Sequence, residues 1–288
     1  MSCTFNALVW RWAARLAFGA GGAAAFALGA LVHAAPVITV VAEDQFVYPG
    51  AVSLVGRNGG TGWAGAWVSD SPSFTDFFTQ ATGLTVPGVA GAGGKMEFRA
   101  AGSQLNDAAR NLPLQNSGVV YLQFLSQFGA QSGGGTPSIR LVSSATGLTG
   151  GVGNNGGCGA PVYAILSATL SPIPASCSAV TLGTLSGVVL QIDYVANITR
   201  MWVLPSLSGF DYLNPPAPSA EYVGLAPAFD RIAIYSRSPA RIDELRVFRV
   251  AESAPPSAQP IPTLSVGALT ALTGLLVLAA VRFGRRSV

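Results

Sequence analysis

Apolar and polar residues alternate through the middle of this chain, cut at short intervals by Gly, Pro, Asn and Ser, and this pattern most limits what the chain can fold into. In residues 119–125 (VVYLQFL), Val120, Leu122 and Phe124 fall on one face of an extended backbone while Tyr121 and Gln123 fall on the other. Residues 188–194 (VVLQIDY) repeat it, with Val188, Leu190, Ile192 and Tyr194 set against Val189, Gln191 and Asp193. Both read as half-buried antiparallel strands. A short link through Asn197 leads to residues 199–204 (TRMWVL), predicted to return as the hairpin partner of the second run. Residues 95–99, 138–142, 231–235 and 242–248 behave similarly. The pattern between the two ends shows no long amphipathic helix and no repeat of fixed period, so the expected fold is all-β, a two-layer sandwich.

The two ends read differently. Residues 1–34 have the form of a secretory signal: Arg11 and Arg15 precede an apolar run over residues 16–31, and Val32-His33-Ala34 offers small-residue cleavage after Ala34. An uncleaved signal anchor is the alternative. Cleavage would remove His33, the single His, together with Cys3, leaving an exported chain with two thiols and no imidazole. At the other end, residues 253–281 carry no charge. As a helix, residues 261–281 would be roughly 31 Å long, close to the ~30 Å hydrocarbon core of a bilayer. Ten Leu, Val and Ile residues lie in that stretch, contributing about 3–6 kcal/mol to insertion, partly offset by its Gly, Ser and Thr. Arg282, Arg285 and Arg286 follow at once, and basic residues beside a span stay cytoplasmic, which puts the body outside. A buried amphipathic helix is the rival reading of the tail, but no polar stripe of helical period supports it.

Charge separates the ends from the body. Residues 36–252 hold eleven Lys and Arg against thirteen Asp and Glu, a net −2, so the whole-chain +3 comes from the termini. Nucleic acid is thereby an unfavoured partner. Gly and Pro together make 54 of 288 residues, below the ~25–30% of low-complexity disorder and in keeping with a turn-rich folded domain. The organisation expected is a signal at 1–34, a sandwich at 35–250, a Pro/Ser/Ala linker at 251–260 and a tail at 261–288.

Two resemblances follow from particular residues. Ile261-Pro262-Thr263-Leu264, the short span and the Arg-rich end at Arg282, Arg285 and Arg286 resemble the IPTL-CTERM sorting signal, related to PEP-CTERM, although Ser265-Val266-Gly267 stands where that family usually has an acidic residue and Trp-Gly. The resemblance implies recognition by an exosortase-type membrane enzyme of a Gram-negative bacterium. The span is then a transient inner-membrane handle, removed on the way to the cell surface or extracellular matrix. In the body, Phe46-Val47-Tyr48-Pro49, then residues 56–67 (GRNGGTGWAGAW), the hairpin of residues 187–205 and the closing runs at 229–232 and 242–247 are similar to concanavalin A-like (LamG-type) jelly-roll domains. The likeness weakens between residues 150 and 180. There Cys158 and Cys177, the cysteines of the exported body, are expected to form a disulfide in an oxidising compartment, worth roughly 3 kcal/mol for a loop of about 20 residues.

Candidate chemistry is sparse. Without His33 the exported chain lacks the imidazole of a Ser-His-Asp or Cys-His site. The Glu-x-Asp-x-x-Glu string of laminarinase-type jelly rolls is missing, and adjacent Asp243 and Glu244 would point to opposite faces of a strand, read here as a charged edge beside Arg241 and Arg246. Calcium is a candidate cofactor through Asp44, Asp70, Asp76, Asp230 and Asp243, though no Asp-x-Asp loop gathers them. Trp202, Trp63 and Trp67 are candidates for a sugar-stacking platform, against the plainer reading of Trp63 and Trp67 as packing at a tight corner. The function expected is structural or adhesive rather than enzymatic. A carbohydrate-binding module and a polysaccharide-active enzyme are the alternatives.

Overall fold

The computed structural model describes residues 36–70, 77–89, 91, 93–98, 106–129, 137–153, 158–169 and 172–252. The expected signal and sorting tail, and Asp76, lie outside them. Every regular element described is a strand. The first sheet runs β12 (Ala220–Val223), β11 (Ile198–Leu204), β10 (Ser186–Asp193), β5 (Val119–Phe128), β14 (Ala240–Glu252), β3 (Lys95–Phe98) and β2 (Phe77–Gln80), with β1 (Pro36–Asp44) also on β14. The second runs β4 (Asn106–Gln115), β13 (Phe229–Ser236), β6 (Ser138–Ser143), β7 (Gly147–Gly153), β8 (Val162–Leu166) and β9 (Pro172–Thr181). All pairings between these strands are antiparallel.

Alternation places the core where the sequence reading put it. Val120, Leu122 and Phe124 of β5 and Val188, Leu190 and Ile192 of β10 meet Ile139 and Leu141 of β6 and Ile232 and Ile234 of β13 in one buried cluster between the sheets. The predicted hairpin is also present, with Val189 opposite Trp202. Its turn is set locally: Asp193 Oδ1 accepts the backbone N–H groups of Val195 and Ala196 at 3.0 and 2.9 Å, and Asn197 takes a φ of +55°, a conformation Asn tolerates better than most residues.

One expectation needs correction. β5 and β10 are buried on both faces, not half-buried, because residues 205–219 lie over the outer face of the first sheet. Leu207, Phe210 and Tyr212 from that segment pack on Tyr121, Val189, Trp202 and Phe248. The strand at 242–248 is longer than its apolar run, and this length makes it the hub of the first sheet. β14 pairs with β5 along one edge and with β3 and then β1 along the other. Between those partners the register slips at Asp243–Arg246, and Glu244 has a φ of +51°, the local kink of a β-bulge.

Candidate functional site

The glycine-rich run at residues 56–67 forms a corner against β1. Gly60 and Gly62 have φ values of +72° and +77°, and a Cβ on either would stand 2.1 Å from the Glu43 carbonyl or 1.9 Å from that of Val41. Only glycine fits there. The close approach lets Thr61 exchange two backbone hydrogen bonds of 2.9 Å with Glu43, and Trp63 Nε1 donates to the Glu43 carbonyl at 2.8 Å.

Beneath this corner sits a buried ion pair. Arg110 shares one face of β4 with Ala108 and Leu112, both members of the core, so its guanidinium is carried inward. Arg110 Nη1 donates to Asp44 Oδ2 at 2.7 Å, with the side chains 2% and 1% exposed. Three more of its N–H groups are used: Nε to the Gly65 carbonyl, the second N–H of Nη1 to that of Gly59, and Nη2 to Asn58 Oδ1, each at 2.7 Å. Asp44 also accepts from Trp67 Nε1, the Tyr48 hydroxyl and the Phe46 N–H at 2.8, 2.6 and 2.8 Å. Trp63 and Trp67 stack near the guanidinium, with ring centroids 5.2 and 5.8 Å from its carbon. Burial and the hydrogen bond to Asp44 push the Tyr48 hydroxyl up to about 12. A buried pair this fully hydrogen-bonded fixes a conformation more than it supplies reactivity.

The outer face of the first sheet holds the third tryptophan. Trp202 is 1% exposed, its Nε1 donates to the Pro216 carbonyl at 2.8 Å, and Phe210 meets it edge-on at 5.5 Å. Neither Trp202 nor fully buried Trp67 presents an indole face to solvent, so the stacking platform expected on them is corrected. Trp63 is half-buried with Arg110 on its ring. A polar relay crosses the same face. Glu221 Oε2 accepts from Arg200 Nε at 2.6 Å, Arg200 Nη1 donates to Gln191 Oε1 at 3.0 Å, Gln191 Nε2 donates to the Tyr121 hydroxyl at 2.5 Å, and that hydroxyl donates to the Tyr212 carbonyl at 2.6 Å. The Tyr212 hydroxyl donates in turn to Gln123 Oε1. These bonds tie the covering segment down.

Asp243 and Glu244 are 0% and 2% exposed, so they are no charged strand edge, and the bulge is the reason. Asp243 Oδ2 accepts the Leu84 N–H and Oδ1 the Glu244 N–H, both at 2.7 Å. Gln45 Nε2 donates to Glu244 Oε2 at 3.3 Å. Burial lifts the Asp243 carboxyl to about 7; the two N–H donors oppose the shift, the charge of Glu244 adds to it and Lys95 opposes it. Arg241 and Arg246 pair elsewhere, with Glu97 at 2.9 Å and Glu43 at 3.3 Å.

Arg241 belongs to an open feature. Arg241 Nη1 donates to Gln127 Oε1 at 3.0 Å, so Glu97, Arg241 and Gln127 form a polar row across β3, β14 and β5. That row borders a cleft of about 360 Å³ whose other walls include Phe98, Phe128 and Pro239. Sequence alternation gave no sign of it, since it arises where three strands end together. The calcium candidates are dispersed. Asp70 pairs with Arg231 at 2.7 Å, Asp230 accepts the Ser144 N–H at 2.8 Å, and among the described residues no group of three or more His, Cys, Asp or Glu could hold a metal ion. Cys158 and Cys177 form a disulfide with Cα atoms 5.9 Å apart, tying the segment before β8 to β9.

No family model matches the chain, and no curated protein matches it by sequence. Among solved structures, lectin I-B4 from Griffonia simplicifolia in its metal-free form is 10% identical over 61% of this chain and 93% of its own, with a TM-score of 0.36. A glycosyl hydrolase family protein from Mycobacterium fortuitum is 13% identical over 73% of this chain and 99% of its own, at 0.41. A sialidase is 10% identical at 0.39; 73% of this chain is covered, spanning 18% of the sialidase's length.

Proposed function

We propose that this chain is an exported β-sandwich of the cell surface or extracellular matrix of a Gram-negative bacterium, serving as structural or adhesive material. Residues 1–34 act as the signal and residues 261–288 as the exosortase-type sorting tail. One observation carries the reading: β1 and β14, whose ladder sets Pro36 opposite Glu252, lie wholly within residues 35–260, so loss of the signal and the tail would leave the sheet intact. Envelope fractionation of the whole chain and of a chain lacking residues 260–288 tests this. The whole chain is expected in the surface fraction and the truncated one in the periplasm; the same distribution for both would reject the sorting role.

Carbohydrate binding is the second reading, and the row of Glu97, Arg241 and Gln127 favours it, because carboxylate, guanidinium and amide groups beside the exposed ring of Pro239 suit vicinal hydroxyls. Pull-down on extracellular polysaccharide should then be lost in Arg241→Ala and kept in Trp202→Phe. Equal retention of both variants would remove this reading.

A further inference from the structure

Part of β1 forms an edge of the first sheet among the described residues. Along residues 36–40 this strand pairs with β14 on one side and with no strand among the described residues on the other. Cover begins at Glu43, where Thr61 closes the edge. Val37, Ile38 and Val40 are 47%, 43% and 37% exposed, and the run PVITVV carries no charge. Exposed edges are normally guarded by Lys, by an inward charge, by a bulge or by a covering loop. Here Pro36 and the bulge between Val40 and Ala42 bound the stretch without interrupting it.

The chain's own nearby segment is a poor cover. The stretch after β14 carries Pro255, Pro256, Pro260 and Pro262, and proline lacks the N–H that a ladder requires. A second copy is a better match. Laid antiparallel about Ile38, the strand sets Ile38 against Ile38, Val37 against Thr39 and, only at the ends of the ladder, Pro36, which has a carbonyl to accept but no N–H to give, against Val40. No like charges meet, and β-branched residues favour such pairs. We propose that residues 36–40 of β1 pair antiparallel with the same residues of a second copy, joining the first sheets of two sandwiches across a two-fold axis. So short a strand pair buries less than the ~1,200–2,000 Å² of a standard interface, so it forms where tethering on a surface raises the local concentration. The contact rests on the proposed export, which would gather copies of the chain on a surface, and it adds to that reading a contact between copies.

Cross-linking in the whole chain, expressed in an exporting host, tests this. Opposed Cα atoms of an antiparallel pair stand roughly 4.5–5.5 Å apart, within the ~4.4–6.8 Å that a disulfide spans. Ile38→Cys is expected to give a non-reducing band at twice the chain mass. Val195→Cys, in the β10–β11 turn and 87% exposed, is expected to stay single. Adding Val37→Lys and Thr39→Lys, which face each other across the axis, should reduce the band to the Val195→Cys level while the Cys158–Cys177 bond still forms. Thr39→Lys alone should reduce it in part. An Ile38→Cys band no stronger than the Val195→Cys one, a product of any other mass, or a band insensitive to the lysines overturns the proposal.

Discussion

Asp44 and Asp243 are both carboxylates sealed from solvent, and they are held in opposite ways. Asp44 has a full guanidinium beside it and three further donors, all fixed by the glycine-rich corner. Asp243 has two backbone N–H groups and an adjacent buried acid, and its carboxyl rises to about 7. The corner supplies a compensating charge; the bulge supplies only neutral donors. Burial alone therefore does not decide what a carboxylate contributes, and the two sites should respond differently to mutation.

Removing the cation should have the largest effect. Arg110→Ala leaves Asp44 buried without its counter-charge and is expected to cost about 3–5 kcal/mol, read as a lower urea midpoint by tryptophan fluorescence. A loss as small as that of a surface substitution would show that the corner relaxes and admits water. The next effect is in pH. The folded state holds the Asp243 proton more tightly than the unfolded chain does, so this group's stabilising contribution is complete below about pH 4 and is lost as pH rises through about 7. The span is on the order of 2–4 kcal/mol. Asp243→Asn should flatten that slope, with an offset of about 1 kcal/mol because its amide nitrogen cannot accept one of the two N–H groups. Equal slopes for both chains would contradict a raised Asp243 carboxyl. The smallest effect sharpens it: Tyr48→Phe removes one of several donors to Asp44 and the acceptor for the Gly59 N–H, a loss of about 1 kcal/mol.

Strands with clean alternation were legible in the sequence, as β5, β10, β11 and β13 illustrate. Others were hidden by their composition. β7 (GLTGGVG) and β9 (PIPASCSAVT) contain too many Gly, Pro and small residues to show a face, and β4 (NDAARNLPLQ) reads as polar because its Arg110 occupies a core position. The tight corner at Trp63 and Trp67 was readable from its glycines. Its partner was not, since Arg110 is 66 residues from Asp44 in sequence; the signal that could have found it is an Arg in register with Ala108 and Leu112. The burial of Trp202 depends on residues 205–219, a segment without periodicity whose docking follows from tertiary contact alone. The Cys158–Cys177 bridge was foreseen from the cysteine count and the expected export, whereas the cleft beside Arg241 depends on three strand ends meeting.

The first and last strands pair along one edge of the body, and the proposed function makes the segments beyond them removable addresses. Intact mass of the protein recovered from the outer surface tests it most directly. The account predicts a product beginning at Ala35, with the Cys158–Cys177 bridge formed and the apolar tail beyond residue 261 absent. A product that still carries residues 261–288 and remains in the inner membrane would contradict it.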